Sequence, residues 1–239
     1  MHSAFRQQWR HHAVEAYAPG GIGNIGPGLD VLGCALTGAG DSVRADAHDV
    51  TIGGARVVIA EPGHPLLPLD PAHHACGLAA NAVLRAAGAP ESFGVTLRVT
   101  KGLPLAGGQG GSAASAVAAA VAVHALLGEP LARDVLLACC LEAEATVAGR
   151  HLDNLAPSLL GGVVSVLGVD PPDVVSVPAR LDPWFAMVHP QIAVRTAEAR
   201  SVLPSFVPRA MLVAQMARVS AMVVAFATGD LALLGRSLV

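Results

Sequence analysis

Apolar and polar positions along the 239-residue chain follow two rhythms. Phe93–Thr100 alternates them with period two, as a half-buried strand does, and Val14–Ala18, Ser42–Ala47 and Ala55–Ala60 carry alternating or β-branched runs of the same kind. Val163–Val169 is a continuous apolar run of strand type, with shorter ones at Val174–Val177 and Phe185–His189. Longer unbroken stretches predict helices at Cys76–Gly88, Ser112–Leu127, Leu131–Gly149, Thr196–Val202, Pro208–Ala227 and Asp230–Ser237. Glycine and proline punctuate these elements, so Pro19–Gly28 and Gly102–Gly111 read as loops and Asp170–Pro172 as a linker. The pattern is α+β, with residues 1–169 as a first domain and residues 170–239 as a helix-ended, partial second one.

Composition narrows the function. A hydrophobic share of 53% supports a sizeable core, while a net charge of −3, 14% charged residues and a single lysine, Lys101, offer no basic stripe for nucleic acid. Aromatic residues, at 3%, are too sparse for base-stacking platforms. Cys34, Cys76, Cys139 and Cys140 lack metal-ligand spacing and suit reduced thiols in the cytoplasm. The longest apolar stretch, Ala113–Leu127, is interrupted by Ser115 and His124 and predicts a buried helix rather than a membrane span.

Two glycine-rich loops are candidates for anion binding. Gly21–Gly26 satisfies G-x-G-x-x-G, with Asp46 about twenty residues on, but Pro27-Gly28 opposes the helix that a dinucleotide fold would start there. The second, L-P-L-A-G-G-Q-G-G-S-A-A from Leu103 to Ala114, leads into a helix with no breaker until Gly128. Glycines let its backbone turn N–H groups inward, and a helix N-terminus favours negative charge, so this loop suits a polyphosphate. It carries no Walker lysine, and Ala114 stands where a nucleophile elbow needs glycine. Glu144, His151, Asp153 and Asn154 then cluster in an otherwise apolar stretch, where a carboxylate could hold Mg²⁺, with Glu142 and Glu144 as alternates. Asp153 also reads as a helix N-cap.

Together these segments resemble the GHMP family of small-molecule kinases, and within it the homoserine kinase branch. A-P-G-G-I-G-N-I-G-P-G-L-D-V-L-G at 18–33 is similar to A-P-A-T-S-A-N-L-G-P-G-F-D-x-x-G, and the second loop to P-x-x-x-G-L-G-S-S-A-A. The 142–162 segment resembles E-x-E-A-x-V-x-G-x-H-x-D-N-x-A-P-A-x-x-G-G, and 195–204 resembles T-x-x-A-R-x-x-L-P. The resemblance implies a two-lobed GHMP kinase fold, with an N-terminal domain like ribosomal protein S5 and an incomplete ferredoxin-like α+β C-terminal domain. It implies ATP-dependent phosphorylation of the L-homoserine hydroxyl on the way to threonine, in a cytoplasmic homodimer. Asn24, Asp30, His151, Asp153, Thr196 and Arg200 would bind homoserine, with Asp30 on its ammonium and Arg200 on its carboxylate. Asn24, Asp30 and Arg200 would form the catalytic set. Pro104, Leu105, Ala106, Gly107, Gly108, Gln109, Gly110, Gly111, Ser112 and Ala113 would bind the ATP phosphates, and Ser112 and Glu144 the Mg²⁺. The Pro71–Cys76 turn is the expected place for the adenine.

The chain departs from the family pattern at Gly20-Gly21-Ile22, where the family has a small residue and Thr-Ser, at Gln109, where it has leucine, and at Gly111, where it has the first serine of the phosphate loop. The family also continues past the equivalent of Val239 with E-P-x-R and S-G-x-G-P segments, so a C-terminal part is expected to be missing. Two other readings stay open: another GHMP kinase with a different alcohol acceptor, and a nucleotide-binding protein without turnover.

Overall fold

The structure is a computed structural model that describes residues 12–50, 54–188 and 196–238. Its elements in chain order are β1 (Ala13–Gly23), β2 (Leu32–Asp49), β3 (Val57–Glu61), α1 (Ala75–Ala86), β4 (Phe93–Thr100), α2 (Gly111–Leu126), α3 (Arg133–Val147) and α4 (Leu155–Leu160). β5 (Val163–Val169), β6 (Pro172–Val177), α5 (Thr196–Ser201), α6 (Arg209–Thr228) and α7 (Leu231–Ser237) complete them.

The long strand β2 organises one six-stranded sheet of order β3-β4-β2-β5-β6, with β1 on the remaining edge of β2. β1 pairs antiparallel along β2, while the other edge takes β4 opposite Ser42–Asp49 and β5 opposite Leu32–Cys34. β3 and β4 run parallel, joined through α1.

Several expectations change here. The segment read as a loop at Pro19–Gly28 is strand as far as Gly23, with a bulge between Pro19 and Gly21. Missing side chains permit this, because a Cβ on Gly21 would sit 2.9 Å from the Cys34 carbonyl and one on Gly20 2.8 Å from Leu103. Gly21 and Gly23 therefore lie in a strand, and the G-x-G-x-x-G match forms no dinucleotide turn. Asp170–Pro172 is not a linker but the turn of the β5–β6 hairpin, so the sheet crosses residue 170. Residues 185–188, read as strand, have no regular structure, and His189 lies outside the described residues. The helix α4 has no bounds among the predicted helices, because Pro157 interrupts the pattern, although the N-cap reading of Asp153 implies a helix there; Pro157 sits in its first turn, where proline is tolerated.

The main core lies between the sheet and α1, α2 and α3. α2 is apolar all round, as a fully buried helix should be. Its alanines bring it close to its neighbours, and Phe93, Leu84, Leu97 and Leu126 fill the larger spaces. A second, smaller core joins Leu32, Val163 and Val177 to Met222 and Phe226 of α6. α6 is long and apolar enough to cross a membrane by length and composition. Met222, Ala225 and Phe226 are nevertheless buried in that second core, while Met211, Leu212, Val213 and Met216 on the N-terminal half are exposed.

Candidate active site

β4 ends at Thr100, and the chain then turns through left-handed residues at Ala106, Gly108 and Gly110 before α2 begins at Gly111. Gly110 is the N-cap, at φ 65°, and no side chain caps the helix. The orphan N–H groups of the first turn therefore remain open to a ligand. They face a cleft of about 390 Å³. Of the residues assigned to the phosphates, Pro104, Leu105, Ala106, Gly107, Gly108, Gly110, Gly111 and Ser112 line it. Gln109 and Ala113 do not: the Gln109 carbonyl instead accepts the Gly21 N–H at 3.1 Å, and Ala113 is fully buried in the core. His73, His74 and Ala75 of the expected adenine turn also line the cleft, joined by Leu67 and Pro68. His74 is also the N-cap of α1, its Nδ1 accepting the Cys76 N–H at 3.1 Å, and burial pushes its imidazole pKa down.

One turn into the cleft, the Ser112 hydroxyl donates to Glu144 Oε1 at 2.9 Å. Glu144 is 7% exposed and its second oxygen has no partner. Burial, which outweighs the opposing Ser112 hydrogen bond, and to a lesser degree nearby Asp153 push this carboxyl up to about 7. A buried carboxylate oxygen with nothing to satisfy it, beside a hydroxyl and open helix N–H groups, is a hard-oxygen arrangement that fits a small divalent cation shared with phosphate. Glu142, the alternate, lies on the outer face of α3 and pairs with Arg85 on the surface. No cluster of three or more His, Cys, Asp or Glu that could hold a metal occurs among the described residues.

The other end of the cleft gathers the β1–β2 connection, the 149–154 loop and α5. Asn24 and Asp30 both adopt left-handed backbone, at φ 56° and 59°, and the Asp30 N–H donates to Asn24 Oδ1 at 2.9 Å. Such strain in non-glycine residues persists where the surroundings over-determine it. Asn24, His151, Asp153 and Arg200 line the cleft. Asp30 accepts both terminal nitrogens of the Arg200 guanidinium, one at 3.0 Å, and lies 3.4 Å from His151 Nδ1. The arginine holds the Asp30 carboxyl below the usual carboxylate range. The two charges assigned to opposite ends of an amino acid are thus bonded to each other. Asp153 is 1% exposed with Oδ1 unpartnered, and burial first, then Asp30, raises its pKa. It is not the cap of α4, which is Asn154. Thr196 opens α5, and its side chain lies outside the described residues.

Asp41, Lys101 and Ser115 form a bonded group at the base of the loop that no motif in the sequence marks. A lone lysine flanking a glycine loop was the available signal. Its partner Asp41 is 60 residues away and meets it only through the β2–β4 register, in which Ser42 faces Thr100.

Residues 74–162 match the family model described as GHMP kinases N terminal domain. The chain is 38% identical over 230 residues to a homoserine kinase of Arabidopsis thaliana, covering 95% of this chain and 62% of that relative. It is 34% identical to the homoserine kinase of Chloroherpeton thalassium, covering 94% of this chain and 73% of the relative. The crystal structure of a homoserine kinase from Cytophaga hutchinsonii superposes with a TM-score of 0.84 at 32% identity, over 96% of this chain and 72% of that one. The mevalonate kinase of L. major, at 15% identity and a TM-score of 0.65, shares the fold. With one relative at 34% identity covered over nearly three quarters of its length, the chain belongs to the homoserine kinase family of GHMP kinases.

Proposed function

We propose that the protein of which this chain forms the nucleotide- and substrate-binding part phosphorylates the hydroxyl of L-homoserine with ATP, giving O-phospho-L-homoserine and ADP. One observation carries this reading: a single cleft joins an uncapped, glycine-turned helix N-terminus to an end lined by Asn24, His151, Asp153 and Arg200, the guanidinium being bonded in turn to Asp30. The first suits a polyphosphate and the second a zwitterionic amino acid.

In this reading the N–H groups of Gly111 and Ser112 and the turn before them hold the phosphates, and Leu67, Pro68 and His73 flank the base. Ser112 and Glu144 would hold Mg²⁺, which supplies charge neutralisation on the phosphate oxygens. Asp30 takes the substrate ammonium and Arg200 its carboxylate, while Asn24, His151 and Asp153 orient the hydroxyl. Its oxygen attacks the γ-phosphorus as the bond to the ADP oxygen breaks, and the hydroxyl proton is released. The transition state is loose, so alignment and neutralisation supply most of the acceleration without a strong base. The four free, buried cysteines suit the reducing cytoplasm. A homodimer completes the proposal.

The test is ADP release, coupled to a reporter, with L-homoserine against mevalonate, galactose and no acceptor. Turnover with L-homoserine alone is expected. Turnover with mevalonate instead would overturn the substrate assignment, and tight Mg-ATP binding without turnover on any acceptor would identify a silent nucleotide-binding chain.

A further inference from the structure

The helix that presents the phosphate site could rotate about its axis without losing its apolar packing, because α2 is apolar on every side and its alanines distinguish its faces poorly. Something polar must therefore fix which N–H groups face the cleft. Gly111 and Ser115 are four residues apart and share one face of the first turn, while Ser112 lies about a quarter-turn away, toward Glu144. On the shared face, Lys101 Nζ donates to the Gly111 carbonyl and to Ser115 Oγ, each at 3.0 Å, and to Asp41. Ser115 Oγ in turn donates to Asp41 Oδ2 at 2.6 Å. The other Asp41 oxygen accepts the N–H groups of Gly102 and Leu103, at 3.1 and 3.2 Å, where the phosphate loop departs.

All three ammonium hydrogens and both carboxylate oxygens are used, and Asp41 is fully buried. Breaking one side of such a pair is far more damaging than removing both. Three acceptors in three directions suit a compact ammonium, whereas a planar guanidinium would leave at least one unmet. This distinction explains why the chain's only lysine stands here among arginines elsewhere.

We infer that Lys101, with Asp41 and Ser115, is a positioning residue that locks the rotation of α2 and the start of the glycine loop so that the first-turn N–H groups face the polyphosphate. The inference rests on the nucleotide-binding reading above. Lys101 has no N–H left for a phosphate, so it acts through the helix rather than on the ligand.

Calorimetry with Mg-ATP and with adenosine, on the chain and on Ser115→Ala, separates the possibilities. Ser115→Ala removes two bonds, the one from Lys101 and the one to Asp41, and leaves the ion pair, and about a tenfold loss of Mg-ATP affinity with adenosine affinity unchanged is expected. The double variant Lys101→Met with Asp41→Asn, which leaves no lone buried charge, should show a larger loss with the same selectivity. Equal losses for both ligands, or Mg-ATP affinity unchanged within twofold in both variants, would overturn the inference. If the unaltered chain binds adenosine but gains nothing from the phosphates, the nucleotide reading itself fails, and this inference with it. Because Lys101 is the only lysine, an amine-acylating reagent read by peptide mass spectrometry reports the network directly. The folded chain should protect Lys101 and Ser115→Ala should expose it, whereas ready labelling of the unaltered chain would refute the closed network.

Discussion

Replacing Glu144 by glutamine is expected to stabilise the protein, and only toward neutral and alkaline pH. Burial raises the Glu144 carboxyl from its ordinary 4.5 to about 7. The folded state therefore holds this proton more tightly than the unfolded chain does. Its contribution favours folding below pH 4.5, is lost as pH rises from 4.5 to 7, and is absent above that. At about 1.36 kcal/mol for each tenfold change in proton affinity, the interval corresponds to roughly 3 kcal/mol. Glutamine copies the neutral carboxyl in shape and still accepts from Ser112. The variant should match the parent at pH 4.5–5 and exceed it by about 3 kcal/mol at pH 8, roughly 6–12 °C in Tm for a chain of this length. Asp153, also raised by burial, retains a pH slope of the same sign, so the slope shrinks without vanishing. Urea unfolding of both proteins at pH 5 and pH 8 measures the difference, and Mg-ATP affinity should fall in the same variant. An equal stability difference at both pH values, or a less stable variant at pH 8, would refute the argument that the site holds an unsatisfied charge.

Ser112→Ala should weaken Mg-ATP binding more than Asp30→Ala does, and calorimetry that returns the opposite order would reject this division of roles. Gly111→Ser should fit without displacement, since a Cβ there comes no nearer than 3.4 Å, to Lys101 Nζ. Losing a helical glycine should raise stability by about 0.5–1 kcal/mol, seen as a higher urea midpoint. Gly33→Ala should prevent folding or sharply lower Tm, because its Cβ would stand 1.7 Å from the Asp153 carbonyl oxygen, and a folded variant with parental Tm would contradict that approach. Arg200→Met should weaken L-homoserine binding while leaving Mg-ATP affinity within about twofold, because Arg200 acts at the other end of the cleft. Loss of both affinities together would merge the two ends.

What the sequence made legible was local. The loop from Pro104 to Ser112 declared itself because the turn, the helix start and the hydroxyl lie within one short segment, and the structure places these residues around the cleft with Gln109 as the exception. Glycine misled where its role was set from a distance. At Gly20–Gly23 the residue type that marks a loop marks instead a strand pressed against other chain: Leu103 on Gly20, the Cys34 carbonyl on Gly21 and Asp153 on Gly23. The carboxylates were equally ambiguous in sequence. Glu142 and Glu144 differ by two positions on α3, which is enough to send one to Arg85 at the surface and the other into the cleft.

The charges of the site follow from the same geometry. Asp30 and Arg200 are bonded to each other, and on the proposed reading a zwitterion would divide that pair without leaving either charge alone, its ammonium going to Asp30 and its carboxylate to Arg200. An anion such as mevalonate could claim Arg200 but would leave Asp30 with only the His151 contact. Selectivity against it then arises from the partner it cannot replace, which is a stronger discriminator than the contact it makes. At the glycine-loop end of the cleft the balance is inverted: Glu144 keeps an unpartnered oxygen, and the buried Lys101 ammonium is already committed to Asp41. On the proposed reading, a phosphate site beside an unsatisfied carboxylate oxygen is one at which a polyphosphate would be better bound with a divalent cation than without one.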